Sequence, residues 1–177
     1  AFTQGLTGFG FALVGAPLLL FLLEPRAVVI TNIVLGVVVC ILVLAGSWRH
    51  VLVRRIVPLV IGGILGLPLG AYALSQVSPG TLKVVISGVV VASAIPLLLG
   101  HRRRFPRETL VSLGAGFASG VLSTSTSLGG PPVVLFLLNQ GWSKEELRAS
   151  LSGYFLVLSV FSLASLAWAG IALRETA

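Results

Sequence analysis

The sequence predicts an all-α polytopic membrane protein made of two related halves, and three observations carry that reading. Hydrophobic residues make up 56% of the 177 and charged residues only 10%, with a mean hydropathy of +1.06; a soluble domain carries about 25% charge. Apolar runs of the ~20 residues that a bilayer core requires recur along the chain. A glycine- and proline-marked stretch near the start returns near the end.

The first apolar segment, 2–23, holds Gly5, Gly8, Gly10 and Gly15 before Pro17, and Glu24, Pro25 and Arg26 close it. There is no Met, and the chain opens straight into apolar sequence without a charged leader, so it is expected to be a fragment that begins inside or just before its first span. Residues 28–45 form a second span. A basic loop, 47–55, follows, with Arg49, His50, Arg54 and Arg55 and with Trp48 as an interfacial anchor. The third span, 56–74, places Gly62, Gly66 and Gly70 on one helical face, where a neighbouring helix can approach closely. That neighbour is either part of the same chain, the favoured reading, or a second copy in a homo-oligomer. The fourth span is 81–99, with Lys83 snorkelling to the interface, and a second Arg-rich loop covers 101–108. The segment 109–138 then runs thirty residues without a charge, and a sixth span covers 149–173.

Twelve Lys and Arg oppose five acids, all Glu, for a net charge of +7. In a membrane protein such an excess sets orientation and does not point to nucleic acid. If every apolar segment crosses once, the loops after spans two, four and six share a side. They hold Arg49, Arg54, Arg55, Arg102, Arg103, Arg104, Arg107 and Arg174, against Arg26, Lys83, Lys144 and Arg148 opposite. The loops 47–55 and 101–108 are therefore expected in the cytoplasm, with the protein in the cell membrane. Cys40 is the only cysteine, so no disulfide framework exists.

The segment 109–138 is too long for one straight crossing, at about 45 Å against a core of about 30 Å, so it is expected to be tilted, broken or folded back. Its middle reads Ser123, Thr124, Ser125, Thr126, Ser127, Leu128, Gly129, Gly130, Pro131, Pro132. No straight helix tolerates that centre well, and broken backbone at membrane depth survives only where protein or a wet cavity covers it. At an offset of 115, Phe2, Gly5, Leu13, Gly15, Pro17 and the run 20–23 coincide with Phe117, Gly120, Leu128, Gly130, Pro132 and 135–138. With a seven-residue insertion, Arg26-Ala27 falls on Arg148-Ala149. The chain therefore reads as two halves, 1–100 and an incomplete 101–177, with broken helices in spans one and five. Four spans separate the copies, so the repeat is expected to be parallel, with about two spans lacking from the second half.

The opening QGLTGFGFALVGAPLLL, the stretch GVLSTSTSLGGPPVVLFLL and the later RASLSGYF resemble the sulfite exporter TauE/SafE family of small permeases. The resemblance covers essentially the whole chain. It implies a carrier of about eight spans in two four-span halves, moving sulfite, sulfonates or related organosulfur anions. The usual glycine-dense second motif is replaced here by Ser-Thr-Ser-Thr-Ser, which alters the polar groups at the site.

Pro131 and Pro132 suit the first turn of a half-helix, where a missing N–H costs nothing. Its N-terminus would aim free amides and a positive dipole end at the break, an arrangement that binds anions. The hydroxyls of Ser123, Thr124, Ser125, Thr126 and Ser127 are expected to donate to oxyanion oxygens, with Gly129 and Gly130 permitting close approach and Pro132 following. By the repeat, Gln4, Thr7, Gly8, Gly10 and Gly15 supply the other half, before Pro17. Asn32, Thr31, Ser152 and Tyr154 are secondary positions, read first as packing or helix–helix hydrogen bonds. The bland reading of each hydroxyl is that it caps freed backbone.

No Asp or Glu lies within a span, which disfavours a metal or cation substrate, and no cofactor is expected. A serine hydrolase would need a base, yet His50 and His101 both sit in loops; the chain is not expected to be an enzyme. A scaffold subunit without transport and a carrier of another small organic anion are the alternatives to the sulfur-oxyanion permease.

Overall fold

Among the described residues, five α-helices and one short 3-10 turn position the site. The computed structural model describes residues 15, 18–19, 23–78, 80–81, 84–85, 87–88, 91, 108–138 and 140–168. The helices are α1 (Pro25–Ser47), α2 (Val53–Gln76), α3 (Glu108–Thr126), α4 (Gly130–Leu138) and α5 (Lys144–Trp168), and the 3-10 turn is Trp48–His50. No strand occurs among the described residues. Among the described residues, three segments, Ala27–His50, Val53–Gln76 and Lys144–Ala167, are long and apolar enough to cross a membrane.

The boundaries have local causes. Pro25 opens α1 at a position where its absent N–H is not missed. α5 starts at Lys144, earlier than the sixth span expected at 149, because Ser143 and Glu146 form a reciprocal capping box. The Ser143 amide donates to Glu146 Oε2 at 2.9 Å, and the Glu146 amide donates to Ser143 Oγ at 3.2 Å.

The helices bury polar residues among an apolar core and also present an apolar exterior. Asn32, Ser112, Ser119, Thr124, Thr126, Ser150, Ser152 and Ser162 are buried, while Leu35, Val38, Ile41, Leu42, Leu65, Leu69 and Phe161 face outward. A bilayer accepts that apolar exterior, whereas water does not at this extent.

α2 and α3 lie side by side and run in the same direction, backbone against backbone. A Cβ on Gly62 would overlap the Leu113 carbonyl, one on Gly66 the Phe117 carbonyl, and one on Gly70 the Thr124 side chain. From the other side, Gly116 meets the Leu59 carbonyl and Gly120 the Gly63 carbonyl. Of the two neighbours that the sequence allows for Gly62, Gly66 and Gly70, the structure seats α3 of the same chain on that face.

The chain then turns back. α4 returns along α3 so that Val133, Val134, Phe136 and Leu137 share an apolar cluster with Leu59 of α2 and Leu151, Tyr154 and Leu158 of α5, flanked by Val111 and Ala115. The Arg55 guanidinium, at the start of α2, lies 5.9 Å from the Trp142 ring centre. The Leu52 amide donates to Ser150 Oγ at 3.0 Å. Had α4 continued the line of α3, Trp142 would lie beyond the opposite end of α2. Residues 109–138 thus form a helical hairpin and not a single crossing, and 47–55 and 140–148 share one end of the bundle.

Two expectations change as a result. Lys144 and Arg148 sit at the same end as Arg54 and Arg55, not opposite them. The helices that follow the two repeat copies, α1 and α5, run antiparallel and not parallel: the end of α1 leads into the Leu52–Ser150 contact at the start of α5, while Val28 and Val29 cluster with Leu166 at the far end. The parallel relation assumed one crossing per apolar segment, and the hairpin removes that premise. The first copy, 2–23, lies almost wholly outside the described residues.

The glycine interface makes a stability prediction. Gly66→Ala should destabilise the protein by about 1–3 kcal/mol through overpacking against backbone that cannot yield. Gly114→Ala, where an added Cβ has nothing within 4 Å, should leave thermal stability unchanged or raise it. Melting curves of the two variants in detergent check this.

Candidate functional site

The hairpin reverses at residues 127–129, where Leu128 packs with Ala71 and Leu74 near the end of α2, and most of the polar groups there can be traced to a partner. α3 ends because Ser127 enters the left-handed region, with φ at 58°, the only non-glycine there among the described residues. Its amide still reaches back to the Ser123 carbonyl at 3.0 Å, closing the last turn. The Leu128 amide donates to Thr126 Oγ1 at 3.3 Å. Gly130 starts α4, with Pro131 and Pro132 in its first turn, where neither can offer an N–H. The positive end of this nine-residue helix therefore faces the reversal, inside the bundle.

Ser119 holds the hairpin shut. Its hydroxyl donates to the Gly129 carbonyl at 2.5 Å, fully buried. Gly129 itself is fitted into α3: a Cβ would come within 2.8 Å of the Ser119 carbonyl and 3.0 Å of Ser123 Cβ. No larger residue fits without opening the turn.

The Ser/Thr run divides in its use. Thr124 Oγ1 donates between two backbone carbonyls, Leu67 of α2 at 3.0 Å and Gly120 at 3.1 Å. Ser125 donates to the Val121 carbonyl at 2.7 Å and Thr126 to the Leu122 carbonyl at 2.8 Å. These three hydroxyls bond the protein's own backbone here, the second of the two readings that the sequence leaves open for each. The Ser123 hydroxyl makes no hydrogen bond among the described residues, although its carbonyl accepts from the Ser127 amide. Ser127 Oγ accepts from Asn32 Nδ2 at 3.3 Å, which leaves its own proton free to donate.

Asn32 is thus brought into the site from α1, where it is 2% exposed, and its Oδ1 is buried without a partner. Thr31 beside it is half-buried. Tyr154 lies within the apolar cluster with its hydroxyl beside the Ser119 side chain, without a hydrogen bond of good geometry, and 3.0 Å from where a Cβ on Gly63 would be. Ser152 is likewise buried and unbonded. Gln4, Thr7, Gly8, Gly10 and Pro17 lie outside the described residues, and Gly15 appears only as a half-buried helical residue.

Sequence reasoning passed over Ser119. The available signal was spacing: Ser119, Ser123 and Ser127 recur every four residues and so share one face of α3. That face is the one onto which the turn folds.

The family model described as Sulfite exporter TauE/SafE matches residues 1–176. No match to a curated protein or to a solved structure was found.

The division among the hydroxyls predicts unequal substitutions. Ser119→Ala leaves the Gly129 carbonyl buried without its donor and should cost about 1–3 kcal/mol. Ser125→Ala removes only a bond back to a carbonyl that the helix already satisfies, and its melting temperature should stay close to that of the parent protein. Thermal denaturation of the two variants side by side measures the difference.

Proposed function

We propose that this chain, which belongs to the sulfite exporter TauE/SafE family of membrane transporters, is a carrier of small oxyanions that binds them at the reversal between α3 and α4. Sulfite, sulfonates and related organosulfur anions are the favoured substrates, because the family's description names sulfite. The observation that carries the site is the N-terminus of α4: amides and the positive dipole end meet the bundle interior at Gly129 and Gly130, beside the free proton of Ser127. Such a helix start stabilises negative charge without any cationic side chain. No acid lies between Ser119 and Asn139 to repel an anion.

The sequence repeat makes 2–23 the counterpart of this hairpin, with Gln4, Thr7, Gly8, Gly10, Gly15 and Pro17 completing the site. The antiparallel run of α1 and α5 favours an inverted relation between the halves, the kind in which one half rocks against the other around a central site. The end that carries 47–55 and 140–148 also adjoins the start of α3, and in the sequence the Arg-rich run 101–108 directly precedes that helix. By the positive-inside rule this end is cytoplasmic in the cell membrane.

Reconstituted into liposomes, the protein should move labelled sulfite or a sulfonate. Gly129→Leu or Gly130→Leu should abolish that flux in protein that still elutes as a folded species. Failure of every sulfur oxyanion and small organic acid tried would overturn the assignment.

A further inference from the structure

The reversal has two electrostatically opposite ends, and the proposed anion site uses only one of them. At the α4 end, free amides present partial positive charge. At the α3 end, the carbonyls of 124–126 lie beyond the last helical amide and present partial negative charge. Asn32 lies on that second end. It is almost fully buried, its Nδ2 is committed to Ser127 Oγ at 3.3 Å, and its Oδ1 has no donor. A buried amide oxygen without a partner is costly and uncommon, and Ser127, which positions it, is itself held in an unfavourable left-handed conformation. Two sparsely tolerated features thus meet at one point, both on the acceptor side of the break.

We propose that this acceptor cluster binds a sodium ion, with Asn32 Oδ1 as its side-chain ligand and with Ser127 and the terminal carbonyls of α3 completing an all-oxygen shell. Its role as the coupling ion, though not the ion site itself, rests on the anion-carrier reading. Every oxygen in the cluster is neutral. Divalent cations are held chiefly by carboxylates, whereas a monovalent hard cation is satisfied by carbonyl, amide and hydroxyl oxygens. No side chain in the cluster titrates near neutrality, so a proton has no carrier there. Broken-helix transporters use the same division, with helix N-termini toward the anion and unwound carbonyls toward sodium. A cation bound here would offset the charge of an anion a few residues away, which would make the binding of each favour the other.

The test begins without any substrate. Melting of the purified chain is followed in sodium, potassium and choline chloride at equal ionic strength. Sodium alone should raise the midpoint saturably, by about 2–4 °C. Asn32→Leu should abolish the rise, and Asn32→Asp, which keeps an oxygen at this position, should retain or enlarge it. Identical midpoints in the three salts would overturn the site, as would a sodium response that survives Asn32→Leu. If Asn32→Leu does not fold, loss of the response in Asn32→Asp has the same force. In liposomes, sulfite flux that is equally fast in choline overturns the ion's coupling role and leaves the anion carrier standing. A sodium shift in protein that moves no anion supports the ion site and overturns the anion reading.

Discussion

A helix that stops within an apolar bundle leaves carbonyls at its end and amides at the next beginning, with no water to take them up. The reversal between α3 and α4 lives under this constraint, and the odd composition of 119–132 answers it. Ser127 closes the last turn of α3 from a left-handed conformation, Thr126 takes the Leu128 amide, and Ser119 takes the Gly129 carbonyl. Pro131 and Pro132 remove two donors from the first turn of α4 that would otherwise need acceptors. What remains unanswered is small and polarised: amides on one side, carbonyls and Asn32 Oδ1 on the other. In a low-dielectric interior such leftovers are strong attractors for ions.

The site depends on a second condition, that α3 lie hard against α2. Glycines on both helices allow backbone contact, and Thr124 uses that proximity to bond the Leu67 carbonyl beside Pro68. This contact holds the end of α3 at a fixed depth. Spreading the helices by one methyl group would move the reversal. Helix packing without a hydrophobic drive relies on such close approach, so in this chain stability and site geometry share the same residues.

Much of this was legible in the residues. Hydropathy located α1 and α2 to within a few positions, and the Ser/Thr, Gly-Gly and Pro-Pro signals located the end of α3 and the start of α4. Periodicity is blind to direction, however: length left 109–138 tilted, broken or folded back, and the orientation count took it as one crossing when it is a hairpin. That single fold-back placed Lys144 and Arg148 on the wrong side and made the repeat look parallel. The hydroxyls were recognised as special, but a hydroxyl four residues past a carbonyl has an internal partner before it has a ligand. Thr124, Ser125 and Thr126 follow that rule. Asn32 stood out only weakly in sequence because its partner, Ser127, is 95 residues away.

The return of α4 along α3 is the claim on which site, orientation and repeat all turn. Cys40 is the sole cysteine, so spin labels can be placed at Thr109→Cys and Gln140→Cys in a Cys40→Ser background and their separation measured by pulsed dipolar spectroscopy. A hairpin brings the labels within about 20 Å, one helix spacing plus the label arms. A single crossing would set them about 45 Å apart, and that distance would contradict the account.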